Sequence, residues 1–206
     1  LLPYHTDNRY LQKSFDRTHR WEKRSLEEHR KNIQNQAIYS VIHGGINPEL
    51  RKKSCSILSQ LPFDGHAIGG SLGKNQYEMI TMLQEMMHYL PPEQPRHLLG
   101  IGDLPSINQA LPLGIDTFDS SYPTKIARHG ILLSHHGPIK ITQTKWKNHH
   151  EPISEAPVCK NYSGAYLHHL FKTHEPIAHT IASMHNLHFM INSMKNYRNL
   201  ILQNLV

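Results

Sequence analysis

The stretch AIYSVIHGG at residues 37–45 is a short apolar run that ends in two glycines. Three later stretches follow the same plan: GHAIGG (65–70) and PRHLLGIG (95–102) end in glycines, and IDTFD (115–119) ends in a carboxylate. The segments between them have the apolar spacing of helices and cover residues 49–61, 75–90 and 106–114. Strands that alternate with helices indicate βαβ units, so we expect an α/β fold with a parallel sheet.

The glycines and the acid all fall at the C-terminal ends of the predicted strands. In (β/α)8 barrels this end of the strands carries the functional site. A closed barrel needs about 250 residues, whereas this chain has 206 and supplies four strands of this kind. We therefore expect a partial (β/α)8 barrel, preceded by a helix that Asp7 or Asn8 caps and that runs to about Asn32.

The pattern changes after Asp119. The segment 130–142 predicts a hairpin, 162–176 predicts a helix, and 177–206 predicts a long C-terminal helix. The apolar residues at helical spacing in the last helix are Ile181, Met184, Leu187, Ile191, Met194 and Tyr197. The expected organisation is a half barrel at 1–130, an appended module at 131–176 and a C-terminal helix at 177–206.

Composition favours a polyanionic partner. The formal charge is +6 and the pI is near 9.3, as is common in proteins that bind nucleic acid. No apolar run approaches the roughly 20 residues of a membrane helix, so no membrane partner is expected. Cys55 and Cys159 are the only cysteines, which favours a reducing, cytoplasmic location over a disulfide scaffold. The chain begins Leu1-Leu2-Pro3 without Met, so we expect a piece of a longer protein.

Several motifs stand in an order and spacing that resemble the C-terminal half of the queuine tRNA-ribosyltransferases, the tRNA-guanine transglycosylases. These motifs are VIHGG (41–45), FDGHAIGGSLGK (63–74), PRHLLGIGDLPSI (95–107), GIDTFDSSYPTKIARHG (114–130), NYSGAYLHHLF (161–171) and MHNLHFM (184–190). LLPYHTDNRY (1–10) and RWEKRSLEEHRKN (20–32) resemble the middle of the family, whose earlier DSGGFQ motif is absent. The resemblance implies a (β/α)8 barrel that exchanges guanine for a 7-deazaguanine, queuine or its precursor, at the tRNA wobble position.

Asp119 matches the nucleophile of that family. The resemblance implies that its carboxylate attacks the anomeric carbon of the ribose, that guanine leaves, and that the incoming base then displaces the enzyme with net retention. Lys125 and Arg128 are expected to keep Asp119 ionised or to contact the flanking phosphates. The alternative interpretation of Asp119 is a helix or turn cap.

Two further positions match residues that bind the base. His43 stands where the family usually has a Gln, and an imidazole keeps one donor and one acceptor but loses the paired amide contact. Gly70 matches a glycine whose backbone approaches the base. The segments that match tRNA-contacting stretches consist of Gly100, Ile101, Gly102, Asp103, Leu104, Pro105, Ser106, Pro123, Thr124, Lys125, Ile126, Ala127 and Arg128. Lys125 replaces the usual Arg and loses its bidentate fork.

The family also holds a structural zinc with a Cys-x-Cys-x-x-Cys cluster and a later His. The matching stretch, SEAPVC, has Ser154 and Ala156 in place of two cysteines, so Cys159 and His185 are the matching ligands that remain. Structural zinc takes four ligands. We therefore expect a degenerate zinc-type subdomain that has lost the metal and packs by its helices, with a substitute site built from the histidines at 149–150 as the alternative.

The half of the family that is missing would supply a second carboxylate as general base and a further base-binding Asp. A half barrel leaves strand edges unpaired, so we expect residues 1–206 alone to be inactive and poorly stable. Three interpretations stay open: a fragment of a catalytic transglycosylase, a non-catalytic tRNA-binding accessory subunit, and a phosphate-binding metabolic barrel enzyme. The expected partners are a tRNA with guanine at the wobble position, a 7-deazaguanine base, and either a second copy in a homodimer or the missing N-terminal half.

Overall fold

A computed structural model describes residue 4 and residues 6–204, and it divides the chain after Ser120 into two compact units. The first unit contains α1 (Asn8–Lys31), β1 (Tyr39–Ile42), α2 (Pro48–Leu58), β2 (Gly65–Ile68), α3 (Gln76–Met86), β3 (Arg96–Leu98), α4 (Leu104–Ala110) and β4 (Thr117–Phe118). The second contains α5 (Tyr122–Arg128), β5 (Ile131–Leu132), β6 (Ile139–Lys140), α6 (Gly164–Lys172) and α7 (Ile177–Leu202).

The first unit is built on a parallel sheet whose spatial order, β1-β2-β3-β4, equals its chain order. Each strand is followed by a helix, as the alternation in the sequence predicted. The α/β class and the parallel four-stranded sheet are therefore confirmed, and this order of strands is consistent with a partial barrel of the (β/α)8 type.

One face of this sheet packs against helices. Ile42, Ile68, Leu98 and Phe118 lie side by side in register on neighbouring strands. They pack in a core with residues of α2 and α3, which include Leu58, Met79, Leu83 and Met86. Met79, Leu83 and Met86 are buried on one face of α3, within the segment 75–90 whose apolar spacing predicted a helix. Full burial of one such side chain is worth about 1.5–3 kcal/mol.

The opposite face carries a second row in register, formed by Val41, Ala67, His97 and Thr117. Successive side chains of a strand point to opposite sides of the sheet, so this row faces away from the helical core. It becomes polar toward β4, where Thr117 is exposed. The candidate site begins on this face, at the C-terminal ends of the strands.

The buried face of α2 is not the face that its apolar residues predict. Its buried residues are Arg51, Ser54, Cys55 and Leu58, whereas Ile57 is exposed. The apolar pattern missed this face because Arg51 and Ser54 are buried for their hydrogen bonds to backbone atoms rather than for apolar contact.

The second unit contains the predicted hairpin, in which β5 and β6 are antiparallel. It also contains α6 and α7, which pack against each other. The apolar face predicted for α7 is wrong beyond Ile181, because Met184, Leu187 and Ile191 are exposed. The buried face of α7 consists of Ala178, Ile181, Ala182, His185, Asn186 and Ser193.

Close packing and hydrogen bonds explain this buried face of α7. Small residues let α5 and α7 approach each other, and Asn186 makes three backbone contacts. Its amide nitrogen donates to the carbonyls of Pro123 and Ile131, and its amide oxygen accepts from the Leu133 N–H. Because α5 packs on α7, the second unit begins at Ser121, before the boundary at 130 that the sequence pattern suggested.

Candidate active site

The carboxylate of Asp119 lies directly after β4, at the C-terminal edge of the sheet. Its Oδ1 accepts the backbone N–H of Gly100 at 2.9 Å and lies 3.1 Å from Nε2 of His97. The Asp119 side chain is 60% exposed, and its Oδ2 has no partner among the residues that the structure describes. One oxygen is therefore held in place while the other is open to a reactant.

These hydrogen bonds also explain the charge state of the carboxylate. The Gly100 N–H, and next the His97 imidazole, hold the pKa of Asp119 below its ordinary value, against an opposing effect of partial burial. The sequence-based expectation assigned this effect to Lys125 and Arg128. The first unit supplies it instead, from a backbone N–H and a neighbouring ring.

His97 is positioned from both sides. It lies on β3 opposite Thr117 of β4, and its Nδ1 is 2.8 Å from the Thr117 hydroxyl. The ring thus spans from the side chain of Thr117 to the carboxylate two residues further along the chain. The sequence analysis did not predict this contact, because it depends on the register of β3 and β4.

The loop after β3 holds most of the first predicted RNA-contacting segment. Gly100 has a positive φ of 76° and its Cα faces open space, whereas Gly102 is buried against the side chain of Ser120. Asp103 caps α4 by accepting the N–H of Ser106 at 3.0 Å, and Ser106 is buried. Gly100 and Pro105 are the exposed members of the segment, so Gly102, Asp103 and Ser106 have structural roles that shape the loop.

The two predicted base-binding residues lie together after β1 and β2. A Cβ on Gly70, which has a φ of +80°, would lie 3.0 Å from Nδ1 of His43, so glycine permits this approach. The Nε2 of His43 is 3.3 Å from the Ser14 hydroxyl, and its backbone N–H donates to Oγ of Ser54. Burial, and next the positive charge of Arg51, lower the pKa of His43 to about 4, which keeps the ring neutral near pH 7.

Arg51 holds the loops that carry these residues. Its guanidinium is buried and donates to the carbonyls of Ile42, the last residue of β1, of Gly45 in the loop after it, and of Ser71 after β2, at 2.8–2.9 Å. Burial lowers its pKa to about 10, so it stays charged at neutral pH. Apolar periodicity does not predict this role, since a basic residue in a mixed helix normally lies on the solvated side.

The second predicted RNA-contacting segment forms α5 in the second unit. Pro123 and Ala127 are buried, while Lys125 and Arg128 are exposed and lie one turn apart on the helix. Neither cation forms an ion pair with any residue that the structure describes. Both side chains are available to bind an anion.

The two remaining zinc ligands of the resemblance meet in the second unit, where Sγ of Cys159 is 3.6 Å from Nδ1 of His185. The Ser154 hydroxyl lies 2.9 Å from the same nitrogen. Within the described part of the chain, no group of three or more His, Cys, Asp or Glu residues could hold a metal ion. The residues present therefore do not fit a structural zinc, which takes four ligands.

Known proteins resemble this chain over its whole length. A family model described as queuine tRNA-ribosyltransferase matches residues 1–205. The chain belongs to the queuine tRNA-ribosyltransferase family. A family member from Protochlamydia amoebophila is 55% identical over 209 residues, which cover 100% of this chain and 54% of the relative. One from Chlamydia caviae is 53% identical over 206 residues, which cover 98% of this chain and 55% of the relative.

The chain thus spans about half the length of the curated relatives that it matches. Membership in the queuine tRNA-ribosyltransferase family removes the basis for the metabolic-enzyme interpretation, which assumed that the resemblance was accidental. Among the helices of the described residues, none is both long and apolar enough to cross a membrane.

Proposed function

We propose that this chain is the nucleophile-bearing half of a tRNA-guanine transglycosylase, which exchanges guanine for a 7-deazaguanine at the wobble position of a tRNA in the cytoplasm. The observation that carries the proposal is the carboxylate of Asp119. It stands at the C-terminal edge of a parallel sheet, ionised, and with one oxygen free. The names of the relatives support the class of reaction, since each is called a queuine tRNA-ribosyltransferase.

The proposed reaction is a double displacement at the anomeric carbon of the ribose. In the first step an Asp119 oxygen forms a bond to this carbon while the bond from the carbon to guanine breaks. Guanine leaves with the bonding electrons and gains a proton. In the second step the incoming base loses a proton and attacks the same carbon, the ester to Asp119 breaks, and the two inversions give net retention.

Each contact of Asp119 has a place in this scheme. The Gly100 N–H and His97 both bind Oδ1, which fixes the carboxylate plane and leaves Oδ2 as the attacking atom. Their effect lowers the pKa of Asp119, so the nucleophile is ionised at neutral pH, and the carboxylate is also a better leaving group in the second step. His97 acts here as a positioning residue, since it touches the nucleophile rather than the ribose.

His43 and Gly70 are the proposed base-binding residues. Gly70 follows β2 and Asp119 follows β4, so the two lie about 10 Å apart along the sheet edge, given a strand spacing near 4.8 Å. His43 is neutral and buried beside Gly70, and we propose that one of its ring nitrogens reads the edge of the base. The Gly70 backbone offers the second polar contact.

The exposed residues of the two predicted RNA-contacting segments are the proposed RNA contacts. Lys125 and Arg128 would bind phosphates flanking the target nucleotide, in keeping with the basic composition. Gly100 and Pro105 would form the surface on which the anticodon backbone rests. We propose the missing N-terminal half, or a second copy of the chain, as the protein partner. That half would supply a general base for the incoming 7-deazaguanine.

The test uses a hybrid protein in which residues 1–206 replace the matching part of the Protochlamydia relative. The hybrid is mixed with an anticodon stem-loop RNA that has guanine at the wobble position, and covalent adducts are resolved on a denaturing gel. We expect an adduct with the hybrid and none with Asp119→Asn, which keeps the size of the side chain but lacks its charge. The control is Asp116→Asn, just before β4, where the carboxylate accepts the N–H of Arg96 at 2.7 Å and the amide oxygen of Asn can keep that bond.

The outcomes separate the proposed function from its alternative. Binding of the RNA by both proteins without any adduct would favour a non-catalytic accessory subunit, for which the changed zinc ligands and His43 are the motivating observations. An adduct that persists in Asp119→Asn would assign the nucleophile to another residue. For residues 1–206 alone we expect no base exchange, because the general base is missing.

A further inference from the structure

A polar cluster lies in the core of the second unit. It consists of Ser154, Cys159 and His185, and the last two are only 1% and 3% exposed. Both ring nitrogens of His185 have partners. Nε2 is 2.8 Å from the carbonyl of Leu133, and Nδ1 is 2.9 Å from the Ser154 hydroxyl and 3.6 Å from the Cys159 sulfur.

These contacts determine where the protons are. A carbonyl oxygen can only accept a hydrogen bond, so Nε2 of His185 carries its hydrogen and donates it to Leu133. Nδ1 is then the acceptor of the neutral ring, and it receives the hydrogen of Ser154 or of Cys159. The lone pair that a metal ion would need on this ring is therefore already used within the protein.

The loop 154–159 is folded around the same hydroxyl. The Ala156 N–H donates to Oγ of Ser154 at 3.3 Å, and the Cys159 N–H donates to the carbonyl of Ala156 at 2.7 Å. The methyl group of Ala156 is buried in the core of the second unit, beside Cys159. The two positions that depart from the family's zinc ligands thus supply a hydrogen-bond donor and apolar packing.

Other histidines do not complete a metal site. The ring of His149 is packed against Gly164, where a Cβ would lie 2.6 Å from it, and it meets the ring of Trp146 edge to face. His150 follows on the same loop and faces a surface groove with Tyr162 and Ser163. The substitute zinc site considered from the sequence is therefore not formed by the described residues.

We infer that the second unit folds and persists without zinc, and that the hydrogen-bond chain Ser154–His185–Leu133 joins the segments that a metal ion would otherwise hold together. The chain links three parts of the sequence: the loop 154–159, the helix α7 and the end of the hairpin strand β5. Cys159 and His185 are buried and Ser154 is partly buried, so the hydrogen bonds of the cluster are largely shielded from water, and the loss of one weakens the link between these segments.

The first test measures zinc in the purified 206-residue chain by mass spectrometry of the metal, and follows thermal unfolding with and without a strong chelator. We expect far less than one zinc per chain and the same unfolding midpoint in both conditions. One zinc per chain, together with a midpoint that the chelator lowers, would overturn the inference. This result does not depend on transglycosylase activity.

The second test changes the cluster. Ser154→Ala should lower the unfolding midpoint by about 2–4 °C, as expected for the loss of about one kcal/mol in a chain of this size. The matched control, Ser134→Ala, removes a hydroxyl that closes an exposed turn by donating to Gly137, where water can replace it. Equal midpoints for the two variants would contradict the structural role of the Ser154 hydroxyl.

The third test rebuilds the ligand set. The double variant Ser154→Cys, Ala156→Cys would place three thiols and His185 around one point, which is a complete structural zinc set. We expect it to take up one zinc per chain and to become sensitive to the chelator. A folded double variant that takes up no zinc would contradict the inference that these two positions are what excludes the metal.

Discussion

His97 and Asp119 are joined across neighbouring strand ends, with Nε2 of the ring 3.1 Å from Oδ1 of the carboxylate. The other ring nitrogen is 2.8 Å from the hydroxyl of Thr117. The three side chains form a continuous chain of contacts on the open face of the sheet. This arrangement fixes the carboxylate relative to β3 and β4 before any RNA arrives.

The first prediction concerns the two nitrogens of His97. In His97→Asn the amide can reach Thr117 but not Asp119, whereas in His97→Gln it can reach the carboxylate. A hydrogen bond to a charged group is worth about 1.5–3 kcal/mol, so we expect His97→Asn to slow adduct formation in the hybrid protein by about 10- to 100-fold. His97→Gln should retain part of the rate.

The affinity for the stem-loop RNA, measured by filter binding, should be unchanged in both His97 variants, because the ring touches the nucleophile. The acid limb of the rate profile should move to higher pH in His97→Asn, since the pKa of Asp119 rises when a stabilising partner is lost. Equal rates for Asn and Gln, or a fall in RNA affinity that matches the fall in rate, would argue against a positioning role.

The second prediction concerns Gly100, whose N–H binds the same oxygen of Asp119 at 2.9 Å. In Gly100→Ala the new Cβ would have no atom within 4 Å, but the alanine must adopt a φ of 76°. The backbone is therefore strained by about 1–2 kcal/mol. We expect the loop to relax, the hydrogen bond to lengthen and the adduct rate to fall by about tenfold or more. Gly137→Ala is the matched control, because Gly137 has a φ of 101° and equally open space in a turn of the second unit. A similar loss of rate in the control would mean that strain alone is responsible.

The third prediction concerns the buried guanidinium of Arg51. Arg51→Met fills a similar volume but removes the Arg51 donor from the carbonyls of Ile42, Gly45 and Ser71. We expect the free energy of unfolding in urea to fall by about 2–4 kcal/mol. Arg128→Met, a change on the exposed side of α5, should alter it by less than about 0.5 kcal/mol. If Arg51→Met lowers the free energy of unfolding no more than the control does, the Arg51 guanidinium does not stabilise the loops after β1 and β2.

The fourth prediction concerns the outer edge of β1. Oε1 of Glu22 accepts the N–H of Val41 at 3.1 Å, and burial raises the pKa of Glu22 from its ordinary 4.5 to about 7. Below pH 4.5 the carboxyl is protonated in the folded and unfolded chains alike, and its contribution to stability is fully present. As the pH rises through 7, the unfolded chain has already released the proton, and this contribution is lost.

We expect the loss at Glu22 to be on the order of 2 kcal/mol after allowance for solvent screening. Glu22→Gln keeps the acceptor for Val41 and cannot ionise, so its stability should not show this fall. The difference between wild type and variant, from urea unfolding at pH 5 to 8, isolates Glu22, because the buried histidines titrate in both proteins. Parallel stability curves over this range would contradict the prediction.

The order of strands and helices could be read from the sequence because each strand is an apolar run that ends at a glycine or an acid. The position of Asp119 followed from the same pattern. The apolar pattern did not predict residues that are buried because of their hydrogen bonds. Arg51 is buried in α2, and Asn186 is buried in α7, where larger apolar residues stay exposed. Apolar periodicity reports the burial of carbon atoms, and it cannot show a buried side chain that satisfies backbone carbonyls from another segment.

The pairing of His97 with Asp119 escaped prediction for a different reason. It depends on the register of β3 and β4, which places His97 opposite Thr117, and a strand of two or three residues does not reveal its register.

The proposed function depends on the carboxylate of Asp119 as the nucleophile, and it is tested most directly by locating the covalent bond. The hybrid protein is trapped with the stem-loop RNA, digested with nuclease and protease, and analysed by tandem mass spectrometry. We predict a ribose ester on Asp119; an ester on any other residue, with Asp119 unmodified, would contradict the account.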